Sequence, residues 1–490
     1  MVRDIGVLAV AILLTALVAG PGVAGAAAGE AGVASPVAEA AAPTGAPIDW
    51  DAVGKEAADL LSQYIRIDTT NPPGNETPAA RFLAGVLTGA GIEAEVAEGF
   101  PGRGNVYARR PGSGDGGAII LLHHMDVVPA DAAEWSVPPF AGVVRDGFVY
   151  GRGALDCKGV GIAALMATLL LERHHQDLNL DVIFLGTADE ETGGTQGAGW
   201  VTGNRPAWFQ GATSLLNEGD HIHLDEGKRP VAHLAVAEKT PCWLRLTARG
   251  QGGHGSAPPP QTAVTRLIRA LDRVDTYRPP ARVVPAVAKY FEALAADGDP
   301  AAAPFADLGA VLADPERLAS FDSDPRRSAL VRNSITPTVL AASTKINVIP
   351  AVASAELDCR LLPGERPETF IETIRGVIDD PTIEIETVLS FPASSSPSDG
   401  PLPDAIRRVM EQQLGGPTVP SVLTGFTDSH FFRDLLIPSY GFVPFAQLDA
   451  ERHRVHGIDE RIAVQVLQDG IRFLYHLLLE LGGAPRGPAG

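Results

Sequence analysis

The chain is poor in cysteine and in positive charge, and it lacks a hydrophobic run long enough to span a bilayer. Its 490 residues include three cysteines, Cys157, Cys242 and Cys359, too few for a disulfide framework. The fold must therefore be held by its core. A hydrophobic content of 45% can build one, and large domains need no covalent staples even after export. With 39 Lys and Arg against 59 Asp and Glu, the formal charge is −20. Such a charge repels nucleic acid and anionic membrane, so neither is expected as a partner. The apolar run at residues 5–18 falls short of the ~20 residues that a helical span needs. It comes after Arg3 and precedes small residues around Ala24 and Ala26, the layout of a secretory signal. Residues 1–28 are thus expected to be a signal peptide and residues 29–47, rich in Ala, Gly and Pro, a flexible linker. The mature protein should be secreted or periplasmic, with no stable membrane partner.

Beyond residue 47 the chain alternates between helical and extended patterns, with no internal repeat. Helical spacing marks residues 52–64, 78–90 and 159–173, and strand patterns mark 92–96, 105–109, 118–123, 181–186 and 214–217. Asp146-Gly147 between two short apolar runs predicts a tight hairpin. Strands alternating with helices predict an α/β sheet. From about residue 234 the alternation gives way to strands, an amphipathic helix at 262–274 and returning strands at 343–362, which reads as a separate α+β domain inserted into the first. Within it, residues 277–332 are rich in Ala, Pro and Asp and read as a helical elaboration.

The chemistry gathers at strand ends. Residues 182–194, VIFLGTADEETGG, carry a β-branched apolar run into Asp189, Glu190, Glu191 and a glycine turn, and in open α/β sheets ligands collect at carboxyl ends of strands. Residues 119–126, IILLHHMD, end a strand in His124 and Asp126, whose alternation puts both on one face. A ligating imidazole commonly gives its second N–H to a carboxylate. Asp156 lies in the glycine-rich YGRGALDCKG, Glu218 in LLNEGD and His456 in HRVHGIDE. Singly, each reads as readily as a helix cap, a solvated acid or a structural histidine. Together, two imidazoles and three carboxylates suit hard or borderline divalent ions, zinc first and cobalt or manganese behind it.

HHMDVVP, DGFVYGRGALDCKG, ADEETGG, NEG, GHGSAPP, INVIPA and HGIDE, in that order and spacing, resemble the M20 family of metallopeptidases and aminoacylases. The resemblance covers residues 49–481, and the long insert and WSVPPFAG wording look most like its carboxypeptidase S and N-acyl amino acid hydrolase branch. It implies a phosphorylase/hydrolase-like α/β catalytic domain with a central mixed sheet, at residues 48–236 and 361–482, and an inserted α+β lid of the dimerisation type at 237–360. It implies two Zn2+ per chain: His124 on the first with Asp126 orienting its ring, Asp156 bridging, Glu218 completing the first, Glu191 and His456 holding the second. Glu190 would be the general base, and the Asp156-Cys157 peptide would be cis. His254 would reach the transition-state oxygen, commonly from the partner in a homodimer formed through the lid. Arg360 would clamp the substrate carboxylate, a task suited to a planar bidentate donor, with Asn347, Gly425 and Thr427 near the ligand. Two departures stand out. Asn217 replaces the Asp that often precedes the metal-binding Glu, and the 277–332 insert alters access to the cleft or the dimer contact. The expected activity is hydrolysis of an amide beside a free carboxylate, as a carboxypeptidase or dipeptidase acting on small peptides. The alternatives are an N-acyl amino acid hydrolase and, from other classes, a binding protein that lost turnover and, with residues 1–20 uncleaved, a membrane-anchored scaffold.

Overall fold

The computed structural model describes residues 47–224, 229–392 and 394–483. The expected signal peptide and nearly all of the expected linker lie outside these residues. Among the described residues no helix is long and apolar enough to cross a membrane.

A mixed eight-stranded sheet organises the molecule. Its order is Ala94–Glu98, Gly104–Arg110, Asp181–Thr187, Ala118–His124, Ala212–Leu224, Ser439–Leu448, Val231–Glu238, Thr418–Leu423. Ala118–His124 and Asp181–Thr187 run parallel in the centre, with Leu121 opposite Phe184 and His124 opposite Thr187. Alternation along these strands feeds two cores. Ile119, Leu121, Val182 and Phe184 face one layer, while Ile120, Leu122, Ile183 and Leu185 face the other with Trp208, Phe209 and Phe432. Burial on both faces explains why both strands read as unbroken apolar runs. The first layer is covered by helices Trp50–Ile65, Lys158–Arg173 and Val464–Gly482, the first capped by the Asp49 side chain, which accepts from the Ala52 N–H at 3.1 Å. One strand is longer than expected. A strand predicted at 214–217 spans Ala212–Leu224, because Gly219, at φ +150°, lies where a Cβ would come within 2.7 Å of Gly441 Cα. The glycine lets the chain bulge past the neighbouring strand and continue, so it does not end the element.

The inserted unit is a four-stranded antiparallel sheet in the order Ser334–Ala341, Val352–Leu361, Thr240–Arg249, Glu384–Ser390. Helices Ala263–Thr276 and Pro367–Ile378 cover one face. The packing corrects two expected boundaries. The unit does not end at 360, because Phe370, Ile374 and Ile378 bury themselves with Leu267 and Ala270 in its core, and Glu384–Ser390 supplies its fourth strand. The helical stretch expected at 277–332 is not part of this unit's core. Its Val287, Phe291, Leu294, Phe305, Val311, Phe321 and Val331 pack with Val419 and Val422 of the central sheet's edge strand. Those apolar stripes find a sheet face already lined with valine, and Asp314 and Asp324 cap the short helices ahead of a first-turn proline, a placement proline favours.

Candidate active site

The end of strand Ala118–His124, the bulged strand Ala212–Leu224 and the turns that adjoin the sheet bring seven of the expected residues together. Asp156 is central: its Oδ1 is 2.8 Å from His124 Nε2 and its Oδ2 is 3.1 Å from His456 Nε2. Glu218 Oε1 lies 3.5 Å from the same His124 nitrogen, and Glu191 Oε1 lies 3.3 Å from His456 Nε2. Donor atoms of His124, Asp156 and Glu218, and separately of Asp156, Glu191 and His456, fall within 4.8 Å of one another. One carboxylate thus belongs to both groups through its two oxygens. The buried Oε1 of Glu191 receives no hydrogen bond of good geometry, which is what a donor reserved for a cation leaves behind. The Asp156-Cys157 peptide is cis.

The electrostatics describe a site short of positive charge. Burial, with Glu218 beside it, pushes the Glu190 carboxyl well above the usual range, and burial lifts Glu218 to about 7. The carboxylates of Asp156 and Glu191, 3.1 and 3.3 Å from its Nε2, raise His456 to about 10. Burial works against a charged His124, yet Glu218, Asp126 and Asp156 hold its imidazole well above the ordinary value. Carboxylates crowded out of water draw protons or cations. Cys157 lies near the first group, but burial, with Glu218 adjacent, pushes its thiol well up.

Asp126 differs from expectation. The His124 Nδ1 contact closest to it is its backbone carbonyl at 3.0 Å, with the carboxylate at 3.5 Å. Its carboxylate instead accepts from the N–H groups of Glu190 and Glu191, each at 3.1 Å, and from Asn71 Nδ2 at 2.7 Å. It holds the acidic turn in place. Asp189, at φ 75°, is spent on the same turn: it accepts from Arg103 at 2.8 Å, Thr192 at 2.6 Å and the Gln196 N–H at 2.8 Å. Glu460 is fully buried and was not singled out from the sequence. It accepts from the N–H groups of Leu155 and Asp156, at 2.7 and 3.1 Å. Its place in HGIDE, four residues after His456, was the available signal.

The remaining expected residues lie elsewhere. His254 is exposed on the two-stranded ribbon Gly253–His254 with Val348–Ile349, where its ring meets Ser256 Oγ at 2.7 Å. Exposed Asn347 neighbours it, accepting from the Gly255 N–H at 2.9 Å. Arg360 forms a two-point pair with Asp358 on its own strand, at 2.7 and 3.2 Å, and sits over the rings of Trp243 and Phe426. Gly425 is exposed. Thr427 is buried and its hydroxyl donates to Glu238 at 2.9 Å, so it braces the loop rather than facing a ligand. Asn217, where an acid was the alternative, donates to Ser429 Oγ at 3.2 Å.

A cavity of about 530 Å³ opens beside Asp156 and Glu218 and is walled by Leu155, Val422, Val443 and Phe445. A second, of about 640 Å³, is built by the helical insertion from Tyr290, Phe291, Leu294, Ala302 and Leu330. The two have Arg326 and Thr424 in common.

An α/β sheet that, with its adjoining turns, sets two imidazoles and two glutamates around one shared aspartate has the donor set of a metal-dependent hydrolase. The model of peptidase family M20/M25/M40 matches residues 120–480. The chain is 30% identical to the human N-fatty-acyl-amino acid synthase/hydrolase PM20D1, over 86% of this chain and 87% of that protein. Its fold matches an M20 family metallo-carboxypeptidase from Sulfolobus solfataricus, with TM-score 0.68 at 19% identity, covering 87% of this chain and 99% of the other. It also matches a dinuclear metal binding peptidase of the family from Bacillus subtilis, with TM-score 0.53 at 16% identity over 88% of this chain and 99% of the other. The chain belongs to peptidase family M20/M25/M40, and it is a metal-dependent amidohydrolase.

Proposed function

We propose that the protein hydrolyses N-acyl amino acids, cleaving the amide between an acyl chain and an amino acid that keeps its free carboxylate. The observation that carries this reading is the cavity of the helical insertion, whose walls are mostly apolar with Asp299, Asp324, Arg326 and Arg327 among them, and which adjoins the cavity beside Asp156 and Glu218. Apolar walls suit an aliphatic chain, and burial of each CH2 contributes roughly 0.8 kcal/mol. The substrate class in the human relative's name supports the same choice. Small peptides, the substrates of a carboxypeptidase or dipeptidase, are the competing class.

The residues fit two divalent cations, with zinc the first choice for a mixed imidazole and carboxylate set. His124, Asp156 and Glu218 would hold one, and Asp156, Glu191 and His456 the other. When bound, such a pair lowers the pKa of water and polarises a carbonyl oxygen. Glu190 lies beside Glu191 but belongs to neither donor group. As general base it takes the proton of the attacking water and returns it to the departing nitrogen. Asp126 keeps it aimed by gripping the turn's N–H groups. Arg360 clamps the substrate carboxylate by exchanging Asp358 for it. His254, exposed on one chain, meets the reacting oxygen from the partner subunit of a homodimer. Export, supported by the pattern of residues 1–28, places this activity outside the cytoplasm.

The test is hydrolysis by zinc-loaded protein of N-acyl amino acids and dipeptides in parallel, with Leu330→Trp beside the wild type. Narrowing the insertion's cavity should suppress cleavage of long-chain substrates and spare N-acetyl ones. Dipeptides cleaved faster than every acyl amino acid would reject the proposal in favour of a peptidase.

A further inference from the structure

A second set of metal-type donors begins two residues past Glu218. After the bulge at Gly219 the strand Ala212–Leu224 presents Asp220, His221 and His223, and the adjoining antiparallel strand Val231–Glu238 brings His233 beside them. Asp220 Oδ1 is 3.1 Å from His223 Nε2 and 3.4 Å from His221 Nδ1, and Asp220 Oδ2 is 3.7 Å from His233 Nδ1. Donor atoms of Asp220, His221 and His223 all fall within 4.8 Å of one another. The imidazoles stack, with centroids 4.2 Å apart for His221 and His223 and 3.7 Å for His223 and His233. Tyr290 of the helical insertion meets His233 edge-on at 5.4 Å. His221 is 8% exposed, and its Nε2 is buried without a hydrogen-bond partner.

Amide cleavage at the Asp156 centre uses none of these imidazoles. As packing alone the arrangement leaves the buried His221 Nε2 without a partner, which is unfavourable. Protons do not resolve it: a single carboxylate balances one imidazolium, and two charged rings this close repel. A divalent cation does resolve it, taking a nitrogen from each ring and an oxygen from the carboxylate. Three imidazoles with one carboxylate suit zinc, copper or nickel, a softer set than the carboxylate-rich group around Asp156.

We propose that Asp220, His221, His223 and His233 form a third divalent-cation site, separate from the two at Asp156. Occupancy turns the stacked rings until their donor nitrogens converge. It ties together the strand that carries Glu218, the neighbouring strand and, through Tyr290, the helical insertion. Because Asp220 and His221 also wall the 530 Å³ cavity, the cation stiffens one side of the substrate space without touching the reacting amide.

The test counts metal by equilibrium dialysis of the full chain against Co2+, for the wild type, His223→Gln/His233→Gln and His456→Gln. Three equivalents are expected in the wild type. The double variant should lose one, or bind it at least ~10-fold more weakly, while His456→Gln loses a different one. Copper at the third equivalent should show nitrogen splittings in its EPR spectrum that the double variant lacks. A folded double variant whose stoichiometry and affinities both match those of the wild type overturns the proposal. Failure of the Asp156 pair to bind metal would leave the double variant's missing equivalent visible, so the two readings fail separately.

Discussion

Replacing Glu460 should loosen the acid cluster without touching any proposed ligand. The buried carboxylate divides its acceptors: Oε2 takes Arg152 Nη1 at 2.7 Å and the Gly153 N–H at 3.1 Å, and Oε1 takes the N–H groups of Leu155 and Asp156 at 2.7 and 3.1 Å. Glu460→Gln keeps the shape but turns an NH2 toward one of these donor pairs. The Arg152 side chain is only 4% exposed, so its charge is left in a low-dielectric setting without a counter-charge. Breaking a buried ion pair from one side costs about 3–5 kcal/mol. The Asp156 backbone loses an anchor at the same time, and partners that orient ligands typically carry about 10–100-fold in metal affinity. Urea denaturation of the metal-loaded variant should therefore show a loss of about 3 kcal/mol or more. Competition with a chelating dye should show at least a tenfold weaker cation pair. Stability within about 1 kcal/mol of wild type, together with unchanged affinity, would refute the reasoning and mean that residues 151–157 hold their own shape.

Further perturbations separate the roles. Glu190→Gln should lower kcat by roughly 10²–10⁴ with cation stoichiometry intact, and near-normal turnover would remove the general base. Arg360→Ala should raise KM for free-carboxylate substrates by roughly 10–100-fold, the worth of charge-assisted hydrogen bonds of about 1.5–3 kcal/mol, with little effect on the matching carboxamides. His430 stacks on Phe391 at 3.6 Å, and burial, with Arg433 nearby, pushes its imidazole down to about 3. The unfolded chain, near 6.5, takes up the proton first, so stability is full above about pH 6.5 and falls toward pH 3 by up to about 1.4 kcal/mol per unit. His430→Phe should flatten the decline of Tm between about pH 6 and pH 4, and an unchanged slope would assign the decline to other groups.

The central strands and the donor set were legible in the sequence for a common physical reason. A strand buried on both faces must be apolar along its length, so it stands out, and its polar end is then conspicuous. His124, Asp156, Glu191, Glu218 and His456 were each marked by a glycine turn or an apolar run. Less visible were contacts made by residues of ordinary type across long sequence separations. Beyond its place in HGIDE nothing local marks Glu460 as the acceptor for Asp156, and nothing local marks Asn71 and Arg103 as the braces of Asp126 and Asp189. Gly219 shows a second limit, since a glycine after a strand signals an end and a bulge equally well. The helical insertion shows a third: its apolar stripes were readable, but the valines at 419 and 422 that receive them come some ninety residues after its last helix. The resemblance puts Thr427 near the ligand, and its burial against Glu238 emerges only from the packing.

The central claim, that the insertion's cavity receives an acyl chain at a metal-dependent amidase centre, is tested most directly by kcat/KM across N-acyl amino acids of increasing chain length. Each methylene that enters an apolar wall should raise kcat/KM by up to about fourfold, from roughly 0.8 kcal/mol per CH2, until the cavity is filled. Leu330→Trp should shorten the chain length at which the rise stops. A profile flat from acetyl to long-chain substrates in the wild type, with dipeptides cleaved as well or better, would contradict the account.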